Sequence, residues 1–112
     1  MSNVTVLPVG RRDAQVVFDR EELGAIMGVY GRMVAAGHWR DYAISMGQDA
    51  AIFSAFRRAA ERPEFQIVKR PALRQRQGTW ALISEAGAVL KRGHELSSVL
   101  APVERKLLKV VE

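Results

Sequence analysis

No cysteine occurs in this sequence, and only two histidines do. The first absence excludes disulfides, thiolate-built zinc sites, iron–sulfur clusters and a thiol nucleophile, and it fits a reducing cytoplasm. Long apolar runs are missing as well. Residues 1–10 lack the cationic start and the apolar stretch of about 7–15 residues that mark a signal peptide, and no segment approaches the length of a membrane span. A cytoplasmic location without membrane contact is therefore expected. Aromatic residues make up only 7% of the chain, so rings needed for the core leave few to spare for a stacking surface.

Catalytic patterns are equally scarce. His38 follows Gly37, where an imidazole meets the last carbonyls of a helix, and His94 stands in Lys91-Arg92-Gly93-His94-Glu95 with no second histidine at ligand spacing. Neither suggests a metal site. Ser45, Ser54, Ser84, Ser97 and Ser98 lack the Gly-x-Ser-x-Gly elbow and a neighbouring histidine. The glycines form neither Gly-x-Gly-x-x-Gly nor a phosphate loop, and the acidic residues show no paired arrangement beyond Glu21-Glu22 at a helix start. A non-enzymatic protein is expected, with no cofactor and no identifiable small-molecule substrate.

What is present is an ordinary globular balance: 112 residues, 48% hydrophobic and 26% charged, enough for one domain with its own core. Residues 1–12, with Pro8, Gly10 and Arg11-Arg12, read as a flexible tail before a single domain over 13–112. Gln15–Phe18 is a short β-branched and aromatic run, a candidate first strand. Asp19 with Glu22 three residues on forms a capping box, and Leu23, Ile26, Met27, Tyr30, Met33 and Val34 then recur at helical spacing up to Gly37, the expected left-handed stop.

Beyond Gly37 the period changes to two. Trp39–Met46 and Ala50–Arg58 read as a hairpin around Gly47-Gln48-Asp49, followed by strands Phe65–Lys69, Thr79–Ser84 and Ala88–Arg92. Leu96, Val99, Leu100, Val103, Leu107 and Val110 restore helical spacing, and Pro102 is expected to split that segment into two pieces. The sum is an α+β fold: an antiparallel sheet of four to five strands with one helix from the N-terminal half and a C-terminal helix packed on one face.

Two features point outward. Between Arg57 and Arg76 there are seven basic residues against two acids, while the rest of the chain holds ten of each, so the whole formal charge of +5 lies in one stretch. Arg57, Arg58, Lys69, Arg70, Arg74 and Arg76 are thus candidates for contacting nucleic-acid phosphates, with Trp39, Tyr42, Phe53, Phe65 and Trp80 as stacking rings if they face out. The alternative makes the arginines a solvated surface and the rings core. The second feature is Gly24, Gly28, Gly31 and Ala35, one stripe of the first helix, where each glycine costs about 1 kcal/mol of helix propensity. Close packing against the protein's own sheet is the expected compensation; docking of a protein partner or a second copy, there or at an edge strand, is the other reading.

Several blocks carry a family resemblance. Val17-Phe18-Asp19-Arg20-Glu21-Glu22-Leu23, Tyr30-Gly31-Arg32-Met33-Val34-Ala35-Ala36-Gly37, Trp39-Arg40-Asp41-Tyr42, Phe56-Arg57-Arg58, Lys69-Arg70-Pro71 and Leu90-Lys91-Arg92-Gly93-His94-Glu95-Leu96 resemble an uncharacterised alphaproteobacterial family, domain of unknown function 2794. The resemblance spans roughly residues 15 to 100 and implies a small bacterial cytoplasmic protein, without an activity, cofactor or site to carry over.

Overall fold

The computed structural model describes residues 15–111, with side chains as far as Leu108; the expected tail over 1–12 and the side chain of Val110 lie outside that range. The chain forms helix α1 (Arg20–Ala35), strands β1 (Asp41–Met46), β2 (Ala51–Phe56), β3 (Phe65–Lys69), β4 (Trp80–Ser84) and β5 (Val89–Gly93), and helix α2 (Leu96–Val111). This is the expected α+β arrangement. The strands follow one another across a single five-stranded antiparallel sheet in the order β1-β2-β3-β4-β5.

Local chemistry explains both ends of α1. The Asp19 carboxylate accepts from the Glu22 backbone N–H at 2.8 Å, and Glu22 accepts from the Asp19 N–H at 2.9 Å. This satisfies two donors that a helix start otherwise leaves open. At the other end Gly37 takes φ +83°. Its N–H reaches the Val34 carbonyl and that of His38 reaches Met33, the paired bonds of a Schellman stop.

Strand alternation sorts the side chains onto two faces. Ala51, Phe53, Ala55, Ile67, Trp80 and Leu82 join Ile26, Val29 and Met33 of α1 and Val99, Leu100 and Val103 of α2 in one buried cluster. Both helices therefore cover the same face. The register Ser45, Ile52, Val68, Ala81, Arg92 and the row beside it, Ala43, Ser54, Gln66, Ile83, Val89, form the opposite face. Val68 and Ala81 are buried there outside the main cluster, and Gln66 donates to the Ser54 hydroxyl across it.

Two expectations are corrected. Gln15–Phe18 is extended but is no strand of the sheet; one backbone bond, from Val16 N–H to the Gly47 carbonyl, ties it down, while Phe18 stacks on Trp80 at 6.1 Å. Its apolar residues serve as a plug rather than a ladder. Pro102 does not split the last helix, which runs unbroken from Leu96 to Val111. An interior proline costs about 3 kcal/mol, but the buried residues Val99, Leu100 and Val103 lie on both sides of it, so their packing offsets the lost bond.

Glu64, just before β3, joins the layers. Its carboxylate accepts from the Trp39 indole N–H at 2.8 Å and from the Lys106 ammonium of α2, and Lys106 sits 5.5 Å from the Phe65 ring centroid. Burial by itself would raise the Glu64 pKa. The hydrogen bonds from Lys106 and Trp39, with the charges of Lys106 and Arg57, outweigh it and hold the carboxyl below its ordinary range. A depressed folded-state pKa stabilises the fold above the unfolded-state value, and that contribution is lost as pH falls through the folded one. Glu64→Gln is expected to lower stability by about 1–3 kcal/mol near neutral pH and to flatten the acid limb of the stability curve, measured by urea unfolding from neutral to acid pH.

Candidate functional site

The basic stretch divides in space. Phe65 pairs with Ala55 and Lys69 with Ala51, so Arg57 and Arg58 leave β2 at one end of the sheet while Arg70 leaves β3 at the other, more than about 13 Å away at 3.3 Å per residue. Arg57 pairs with Glu85 at 2.8 Å, and Arg58 borders a depression with Val34, Gly37, Trp39 and Arg40. Arg70, Arg74 and Arg76 are exposed around a short 3-10 turn, Pro71–Leu73. That loop is well tied: the Leu73 carbonyl accepts from Arg76, Gln77 and Gly78, and Arg70 donates to Thr79. Gly78 closes it at φ +97°, where a Cβ would stand 2.4 Å from the Gly93 carbonyl oxygen.

Lys69 belongs to the framework. Its side chain is 16% exposed and lies 2.6 Å from the Glu22 carboxylate, donates to the Val17 carbonyl at 2.8 Å, and sits 5.8 Å from the Trp80 ring. Of the five candidate stacking rings, Trp39, Phe53 and Trp80 are buried, Phe65 is half-buried and Tyr42 alone is exposed. The one exposed ring, Tyr42, pairs with Ala55 at the Arg57 end of the sheet, the end opposite to the loop that carries Arg70, Arg74 and Arg76.

The glycine stripe also departs from its expected role. Gly24, Gly28, Gly31 and Ala35 are all exposed, and a Cβ at Gly24 or Gly31 would meet nothing within 4 Å. They do not permit close packing on the sheet. Gly24 and Gly28 instead border an open groove of about 430 Å³ between α1 and α2, floored by Val29 and Leu100 and bridged by Arg32 and Glu104 at 3.0 Å.

One feature the sequence reading left unlocated is the outer edge of β1. Gly47 N–H donates to the Ala50 carbonyl. The register Tyr42↔Ala55 through Met46↔Ala51 then turns the backbone groups of odd-numbered β1 residues toward β2 and those of Tyr42, Ile44 and Met46 outward. The flanks are capped: Tyr30 donates to the Arg40 carbonyl at 2.9 Å and the Gln15 amide to the Met46 carbonyl at 2.9 Å. Burial, followed by the nearby Asp41 and Tyr42, raises the Tyr30 pKa. Between the caps, among the described residues, nothing meets the N–H and C=O of Tyr42 and Ile44. Their side chains, 47% and 37% exposed, lie on the helix-covered side, where Tyr42 packs on Tyr30 at 5.1 Å and stacks on Phe53 at 5.4 Å.

The opposite edge is blunted. Strand β5 carries Lys91 and Arg92, and its register slips between Leu82 and Ile83 so that Leu90 is skipped; charge and bulges are the usual protections of an edge. Strand β1 has no bulge and a single charge, Asp41 at its start. The absence of lysine, arginine and proline from Asp-Tyr-Ala-Ile-Ser-Met was a signal available in the sequence, but only the strand order made it an edge.

Among the described residues no group of three or more histidine, aspartate or glutamate side chains is placed to hold a metal ion, and no helix is long and apolar enough to cross a membrane. If Lys69 serves the framework, Lys69→Ala lowers stability by about 1–3 kcal/mol, while Arg74→Ala and Arg76→Ala stay within about 0.5 kcal/mol of the parent in chemical denaturation. No curated protein and no solved structure matches the chain. The model of one family, described as a protein of unknown function (DUF2794), matches residues 16–100, and the chain belongs to that family.

Proposed function

We propose that this chain is a non-enzymatic protein-interaction module that accepts an additional strand at the outer edge of β1. The observation that carries the reading is the window of backbone groups at Tyr42 and Ile44 that none of the described residues meets, bounded by two capped carbonyls and lined by exposed apolar side chains. Strand addition draws affinity from main-chain hydrogen bonds and specificity from alternate side chains, and this edge offers both. The Tyr30 and Phe53 rings hold Tyr42 in place, so little ordering is required on binding.

A second reading, nucleic-acid contact, is supported by the exposure of Arg70, Arg74 and Arg76 on one loop, but Trp80, the ring nearest in sequence, is buried. The two readings separate in one comparison. A panel of extended peptides with alternating apolar and polar residues is expected to slow amide exchange at Tyr42 and Ile44, and Ile44→Pro to abolish that binding, since it deletes an outward N–H and no bond to β2. No protection by any peptide, together with salt-sensitive binding of single-stranded RNA or DNA lost in Arg74→Ala/Arg76→Ala, would transfer the function to the loop.

A further inference from the structure

Resting on strand addition at β1, we propose that the added strand is β1 of a second copy, joining two five-stranded sheets into one antiparallel sheet about a two-fold axis at Ala43. The free window is self-complementary. An axis normal to the sheet places residues of equal parity opposite each other and both pairs of helices on the same side. With the axis at Ala43, Tyr42 lies opposite Ile44 of the second copy, and the two exchange N–H···O bonds in both directions. Every backbone group left free at Tyr42 and Ile44 is then used, and none beyond them is needed.

The neighbouring register is poorer. An axis at Ile44 pairs Tyr42 with Met46 of the second copy, and the Met46 carbonyl is already held by the Gln15 amide. The Ala43 register also sets charge in order, since Asp41 falls opposite Ser45 and Arg40 opposite Met46, so no like charges meet. It brings the exposed side chains of Tyr42 and Ile44 beside each other on the helix-covered side, an aromatic and β-branched cross-strand pair.

A strand pair this short is small against the roughly 1,200 Å² or more that a stable interface buries. The flank of α1 turned away from α2 supplies the remainder. Met27, Tyr30 and Val34 lie along it at helical spacing, the Tyr30–Tyr42 contact places it above this edge, and Val34 is exposed. Residues 1–14 are the competing occupant, since Gln15 stands at the Met46 end of β1. Their nearest part, Gly10-Arg11-Arg12-Asp13, holds no strand-forming residue, whereas β1 has two, Tyr42 and Ile44, at its two pairing positions.

Sedimentation velocity on the full chain is expected to show a dimer. Ile44→Lys is expected to weaken it at least about tenfold while the monomer still unfolds cooperatively, and Leu90→Lys, on the other edge, to leave it intact. Because the chain has no cysteine, Ala43→Cys adds a lone thiol facing its own copy in a non-hydrogen-bonded pair, where Cα atoms stand about 4.5 Å apart, within disulfide reach. Oxidised glutathione should link Ala43→Cys covalently across the dimer and leave Ser45→Cys without a covalent link, a readout that holds even if Ile44→Lys fails to fold. A monomer at all concentrations, or a dimer that Ala43→Cys does not trap, overturns the proposal. If that monomer still binds extended peptides at Tyr42 and Ile44, strand addition stands and only the second copy falls. If its Tyr42 and Ile44 amides are already protected, the chain's own N-terminal residues fill the edge and both readings fall.

Discussion

Two helices can cover about as much sheet as five strands provide, and only on one side. Strands spaced about 4.8 Å apart make a five-stranded sheet roughly 19 Å wide between its outer backbones, and two helices packed side by side at 8–10 Å each span about the same width. In this fold α2 lies over β4 and β5 and against α1, while Tyr30 of α1 meets Tyr42 of β1 and Phe53 of β2. The match is tight enough that β1 forms the rim of the covered region. Its backbone edge and the side chains of Tyr42 and Ile44 stand where helix cover ends. The exposure of that edge is therefore a consequence of the architecture.

The Glu64 carboxylate shows how the covered side is kept in register. It accepts from an indole on the link between α1 and β1 and from an ammonium on α2, while belonging itself to the approach to β3. A buried carboxylate without partners is costly enough to protonate or to distort the fold. With two donors it becomes a fixed point to which three segments must conform. Lys69 does the same at the opposite end, joining Glu22 of the α1 cap, the Val17 carbonyl and the Trp80 ring. These two ionic contacts stand one at each end of β3, and the second consumes Lys69, which by charge alone looked available for a ligand.

Much of the fold was legible in the sequence because its signals are local. The Asp19–Glu22 box, the stop at Gly37 and the Gly47-Gln48-Asp49 turn are decided within a few residues, and all three are where the pattern put them. What failed depends on distant partners. Pro102 breaks an isolated helix, but Val99 and Val103 bury against strands that local reading does not see. The glycine stripe looked like a packing device, yet the core side of α1 is set by Ile26, Val29 and Met33, a face rotated away from it.

The basic stretch illustrates the same limit for the candidate site. Seven cations within twenty residues imply a patch only if the chain there is compact, and a strand between them does the opposite, carrying its two ends apart. The edge of β1 had the reverse history. Nothing in Asp41–Met46 is chemically conspicuous, and its interest arises from what the sheet does to it: strand order makes it terminal, register turns Tyr42 and Ile44 outward, and Tyr30 and Gln15 cap the groups on either side. Natural edges are usually made unable to accept another strand. A sheet that blunts one edge with a bulge and two cations while leaving the other in regular register, with one charge at its start and capped to a short window, has the asymmetry expected where one edge must stay solitary and the other must pair.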